Sequence, residues 1–391
     1  MTAPCRASGS TDYTQIHTVK DIPLKHPAYS QIGPAADGTP AQDLWVTTFA
    51  PFGKDLVTRI PLARAIDPRD ESVPEVFTDQ VAWPNDLTFH DGDVYFGSGF
   101  LMPGKSTGTI SKAPIDGSSP PAPVTADKKR WFYHKPWVLA NGDILTARAT
   151  KPIVWGDPQG ELVLLHPGAT GQATEQVLAA GPDMHLLVAD VNRDGKPEAI
   201  APEYFGEKLS LFTEQNGVWK QTVIDADLGP GFDASLEHLE GANAGPALLV
   251  TNSKDDGSGG VYAYEIPDQI TTQPWIRHTL VEGIPNGKWG PGTGAPGAAR
   301  AYHLGPHNEG DRPAVLVSTD DGETLMWGIP TGQDWNYKFF RTENLDSTVG
   351  KPSVTPFCDA EGFPYIFVPL YDRDLIRVYS FNPKYKPVTP P

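Results

Sequence analysis

Two sets of chemically capable residues recur at matching places along this chain. Several segments share a Gly/Asp-rich turn between two apolar runs. Aligned on that turn, Thr48, Ser98, Arg148, Glu203, Asn252 and Thr319 fall at one position, while Trp83, Asn85, His134, Lys135, Asp183 and His185 gather at the segment starts. Cationic, imidazole, carboxylate and hydroxyl groups beside indoles are what a concave pocket uses to orient a small ligand. His134, Lys135, Arg148, His185 and Glu203 are therefore the candidate catalytic groups. Trp83, Asn85, Trp137, Asn252, Trp289 and Thr319 are the candidate substrate contacts. The competing reading is that these side chains satisfy one another around a water-filled channel.

Other chemistries find less support. His134, His185, His238 and His303 lie near segment starts, but their phases differ by one or two residues, which points some of them away from a common centre. A hydrogen-bond donor or general acid suits them better than a shared metal. There is no G-x-S-x-G elbow, and Gly104-Lys105-Ser106 and Gly290-Pro291-Gly292-Thr293-Gly294 lack the spacing of a phosphate loop. Glu237 and Glu240 form a weak glycosidase-like pair. Covalent catalysis is disfavoured.

The elements that must bring such distant residues together are short strands. The apolar run, turn, apolar run unit recurs roughly every 45 to 55 residues, as in Trp83–Phe100, Lys135–Thr150, Met184–Tyr204 and Ser353–Tyr371. One such hairpin cannot bury its own apolar face, so neighbours must cover it. Seven hairpins can be placed, beginning at Tyr29, Trp83, Lys135, Met184, Ser235, Ala298 and Ser353, each followed by further strand candidates. With 39 Gly and 40 Pro in 391 residues and no sustained helical period, the expectation is an all-β, seven-bladed β-propeller forming a single domain over 1–391. Residues 13–22 resemble the outermost strands at Trp219 and Trp275 and are expected to close the last blade, with an arm at 1–12 and a tail at 382–391.

Net charge is −17, and the longest basic run is Lys128-Lys129-Arg130, so a nucleic-acid partner is not expected. Nor is membrane insertion, since no apolar stretch is long enough to span a bilayer. Cys5 and Cys358 allow one bridge or two free thiols; a bridge would favour a secretory or extracellular location, and its absence the cytoplasm. The polar first ten residues carry no signal-peptide core, which leaves an intracellular protein or a removed leader.

Asp190-Val-Asn192-Arg-Asp194-Gly195-Lys-Pro-Glu198 resembles the aspartate-rich turn of FG-GAP and VCBS repeats. That resemblance implies a structural Ca²⁺ held by Asp190, Asn192, Asp194 and Glu198; the alternative is an ion-free turn closed by Asx side chains. Met184–Asp190 with Pro197–Ile200, and Trp289–Gly297, are similar to the propeller domain of fungal aldos-2-ulose dehydratase. In length, repeat content and Trp- and Pro-rich loops, the chain resembles the fungal hetero-Diels–Alderases of tropolonic sesquiterpenoid biosynthesis. The latter resemblance implies a cofactor-independent pericyclase that joins a tropolone o-quinone methide to a humulene-type alkene, with those small molecules as its partners. A sugar lyase or dehydratase, or a non-catalytic binding propeller, are the alternatives.

Overall fold

The computed structural model describes residues 12–386 except 103, 152–156, 169–171, 242–243, 291 and 309. Seven antiparallel sheets follow one another around an axis, six of four strands and one, in blade 3, of five because its inner strand is broken in two, each running from an inner strand outward. Their inner strands begin at Pro27, Leu87, Phe132, Leu187, Gly231, Ala299 and Ser353, which defines blades 1 to 7. The expected seven-bladed propeller is what the chain forms, and the hairpins read from the sequence are the inner pairs of its blades.

Closure is made by the N-terminus. His17–Pro23 pairs with Leu375–Ser380 as the outermost strand of blade 7, so first and last segments share one sheet. The strand starts later than expected because residues 13–16 leave the sheet: the Tyr13 carbonyl accepts Trp327 Nε1 at 2.7 Å in blade 6. Alternation sends Ile22 inward, against Leu44, Val46 and Ile60 of blade 1 and Ile376 and Val378 of blade 7. Comparable apolar layers fill each blade interface, for instance Ile200 and Leu211 of blade 4 against Leu248 and Val250 of blade 5. Ile22→Val removes one buried methyl group from the closing seam and is expected to lower unfolding free energy by about 1 kcal/mol. Denaturant titration should show a lower midpoint at unchanged slope.

Three inner strands depart from regular pairing at the same end. In blade 1 the register slips between Pro27 and Tyr29, and in blade 5 between Gly231 and Asp233. In blade 3, residues 134–136 stand opposite only 146–147, with Pro136 unable to donate to the ladder. Each slip inserts one residue and re-aims the side chains around it. Ala28, His134 and Phe232 are the residues turned toward the axis by this device.

Cys358 is disulfide-bonded, whereas Cys5, its expected partner, lies outside the described residues. No helix among the described residues is long and apolar enough to cross a membrane.

Candidate functional site

At the mouth where the inner strands begin, a cavity of about 340 Å³ opens on the axis, within the size range of ligand pockets. One side is a continuous arc of rings contributed by blades 1 to 5. Phe49 stacks on Trp83 at 4.5 Å, Trp83 on Phe100 at 4.8 Å, and the arc continues through Phe132, His134 and His185 to Phe232 with successive centroids 4.6 to 5.6 Å apart. Trp83 holds a left-handed φ of 51°, unfavourable for a bulky side chain. The fully buried Asp55 fixes it, accepting Trp83 N at 2.6 Å while also holding Ala50 N and Lys105 Nζ.

The other side, from blades 5 to 7, is small and polar: Ser253, Ala298, Ser318, Asp320 and Gly350. Asp320, also left-handed at φ 53°, presents a carboxyl that makes no hydrogen bond to any described residue. Its neighbour Asp321 is well satisfied, taking Thr348 Oγ1 at 2.8 Å and Gly294 N at 3.2 Å, with Lys288 Nζ 3.8 Å away. Burial and then the Asp321 charge push the Asp320 carboxyl well above the usual range, against a weaker pull from Lys288. The two imidazoles are uncharged at neutral pH. Burial lowers His185 to about 4, and burial followed by His185 lowers His134 well below its ordinary value. Both ring nitrogens of His134 and Nε2 of His185 are buried without a hydrogen-bond partner.

Behind this floor lies a charged hub. Lys351 Nζ donates to Asp86 at 2.5 Å, and Arg300 grips Asp233 through both terminal nitrogens. The hub faces a second cavity of about 530 Å³ at the opposite mouth, and His185 and Lys351 touch both spaces. Asp183, expected at the cavity mouth, acts one layer out. It accepts the amides of Tyr204 and Phe205 at 2.8 and 2.6 Å, holding both rings over the cavity, and burial raises its carboxyl to about 7.

Trp83, Asn85, His134 and His185 line the axial cavity. Asn85 also ties blades 2 and 3 by donating to the Tyr133 carbonyl at 2.8 Å. Lys135 and Trp137 belong to the opposite mouth, where Lys135 Nζ lies 4.5 Å from the Trp137 ring centroid. Trp289 is not a wall at all; it is 99% exposed. The aligned hydroxyl, amide and charged positions are one residue out of phase with the axis. Arg148 is held by Glu161, Glu175 and Tyr133 Oη inside blade 3, and Glu203 by Gln221 at 3.0 Å and Lys208 at 3.5 Å in blade 4. Asn252 bonds Leu228 O and Gly260 N, Thr319 bonds Thr324, Ser98 bonds Thr109, and Thr48 bonds Leu56 N. These residues fasten hairpins. The following positions, Phe49, Tyr204, Ser253 and Asp320, face the cavity instead.

The proposed calcium turn uses its oxygens internally. Asp190 accepts the amides of Asp194 and Gly195, Asn192 Oδ1 that of Asp194, Asp194 that of Lys196 and Glu198 that of Val191, all at 2.9–3.0 Å. Among the described residues no three His, Cys, Asp or Glu side chains converge as a metal site. These bonds close the turn through its Asx side chains.

No family model matches the chain, and no curated protein matches it. Among solved structures it is similar to YCF48 from Cyanidioschyzon merolae, with a TM-score of 0.51 and 11% identity over 93% of this chain and 98% of that one. A putative 6-phosphogluconolactonase from Bacteroides uniformis aligns with a TM-score of 0.47 and 11% identity over 83% of each chain. The calcium-binding protein regucalcin from Agrobacterium tumefaciens aligns at 0.45 and 10% over 78% of this chain and 85% of that one. At such identities the likeness is one of fold: the chain is a seven-bladed β-propeller with an aromatic, acid-bearing cavity on its axis.

Proposed function

We propose that the axial cavity is the active site of a cofactor-independent pericyclase of fungal secondary metabolism. In this reading it joins a tropolone o-quinone methide to a humulene-type alkene by hetero-Diels–Alder cycloaddition. The observation that carries it is the Asp320 carboxyl, unpartnered among the described residues and with its proton affinity raised by burial, facing a wall of stacked rings. The reaction forms one C–C and one C–O bond in a single step, with no proton lost or gained, so it needs geometry and a hydrogen-bond donor more than a nucleophile. The Phe49–Trp83–Phe100 stack offers an apolar wall for the tropolone ring and its alkene partner. Asp320 donates to the heterodiene oxygen, drawing off the charge that develops there and lowering the acceptor level of the quinone methide. If that species arises from a hydroxymethyl precursor, the same acid protonates the departing hydroxyl, which leaves as water, and the proton released by the ring hydroxyl returns to Asp320, so that the acid is again a donor for the cycloaddition.

The test is direct. Purified protein is incubated with a quinone-methide precursor and humulene, and product is resolved by chiral chromatography. The expected result is faster formation of one stereoisomer than in buffer. Racemic product at the spontaneous rate would overturn the reading, and ligand binding without any change in product would make this a binding propeller.

A further inference from the structure

On the face opposite the axial cavity, the connection between the first two strands of blade 6 frames a separate cavity of about 360 Å³. Arg312 lines it. Its Nε donates to the Leu239 carbonyl at 3.1 Å, and its guanidinium sits 4.9 Å from the Tyr337 ring centroid. Among the described residues both terminal nitrogens, which are buried, have no hydrogen-bond partner, and no carboxylate lies within ion-pair distance. Asp311, next in sequence, is engaged by the Asn308 backbone amide at 2.7 Å and the Asn308 side chain at 3.3 Å.

A guanidinium does not deprotonate in a protein, so burial without a counter-charge is costly unless an anion completes the site. The rest of the cavity suits one. His303 and His307 stack in parallel with centroids 3.7 Å apart. His307 Nδ1 lies 3.0 Å from the Gly305 carbonyl and so carries the proton, leaving Nε2 as an acceptor or, once protonated, a second donor. His303 is lowered to about 4 by burial and by His307, so His303 is uncharged at neutral pH and Arg312 supplies the positive charge.

We propose that this cavity binds a small carboxylate, with Arg312 as its ion partner and the His303–His307 stack as its second wall. A planar carboxylate matches two parallel N–H groups of one guanidinium, which a spherical anion does not. The site is independent of the reaction proposed for the axial cavity.

Acetate is the probe, titrated calorimetrically into the full chain at ionic strength held constant with chloride. The expected result is saturable binding that weakens at least tenfold in Arg312→Gln, with a smaller loss in His307→Asn. Thermal unfolding of the unaltered protein should rise with acetate and not with chloride, which keeps the test open if Arg312→Gln does not fold. Absence of saturable binding in the unaltered protein, or equal affinity in Arg312→Gln, would overturn the proposal. Inorganic phosphate binding in place of acetate would overturn the carboxylate assignment.

Discussion

Replacing Asp320 by Asn is expected to lower kcat for cycloaddition by about a hundred- to a thousandfold while changing KM little, the loss associated with one preorganised donor or general acid. A carboxamide keeps the shape and can still donate, but more weakly, and it cannot deliver a proton. Because the Asp320 carboxyl has no hydrogen-bond or ion-pair partner among the described residues, the variant should fold normally. The pH dependence has a definite sign. The active form is protonated, and burial with the adjacent Asp321 charge raises its affinity for the proton. Activity should therefore be full at acidic pH and fall as pH rises through that raised value. The native state also binds this proton more tightly than the unfolded chain. Its contribution to stability is full below the ordinary carboxyl range and fades as pH rises through the folded value. Asp321→Asn removes the neighbouring charge and should move the alkaline limb of the rate profile downward, whereas Asp320→Asn should abolish that limb. A rate profile identical in all three proteins would remove Asp320 from the mechanism.

Much of this site's framework was legible in the sequence, and the part that was not has a specific geometric cause. Hairpin positions follow from apolar runs flanking Gly/Asp turns, so the seven inner pairs and the closing strand could be read directly. Which side chains face the axis depends on a period of two, and a one-residue slip reverses it. The bulges near Ala28, His134 and Phe232 supply such slips in blades 1, 3 and 5. In those blades Arg148, Asn252 and Thr48 are hairpin fastenings while Phe49, His134 and Phe232 take axial places; Asp320 takes one in blade 6, whose inner pair runs in regular register and where the turn alignment itself is one residue out of phase. Asp320 was hidden for a second reason: beside Asp321 after a strand, it reads as half of a solvated turn. Only the fold shows that Asp321 takes Thr348, Gly294 and Lys288, leaving Asp320 to the cavity. Lys135 lies within the blade 3 bulge and Trp137 just past it, and both emerge at the opposite mouth, while Trp289 lies in a long loop whose tip no strand period constrains.

The hub carries the other large expected effect. Lys351→Met should destabilise the fold by about 3–5 kcal/mol, because it leaves the Asp86 carboxylate buried with its nearest remaining cation, Lys135, 3.8 Å away. Asp86→Asn combined with Lys351→Met removes both charges and should recover most of that loss, which separates an unpaired charge from simple loss of packing. Proton linkage gives a second readout. Burial pushes the Asp86 carboxyl up, but Lys351 and Lys135 outweigh it and hold the group well below the usual carboxylate range. In the unaltered protein its stabilising contribution is therefore complete above the ordinary carboxyl range and is lost as pH falls toward the depressed value. Without Lys351, burial dominates, the folded value rises above the unfolded one, and acidification should instead stabilise the variant. Urea titrations at about pH 7 and about pH 5 should then show the gap between Lys351→Met and the unaltered protein narrowing at the lower pH. A gap of constant size would mean that Lys351 acts through its aliphatic stem and its strand contacts to Ala28 and Ser30. The same charges bear on the cavity above them, since Lys351 touches both spaces and His185 shares its floor. An Asp86 that loses its partner and takes up a proton would change the field at His134 and His185, so stereoselectivity should fall in Lys351→Met at temperatures where the variant is still fully folded.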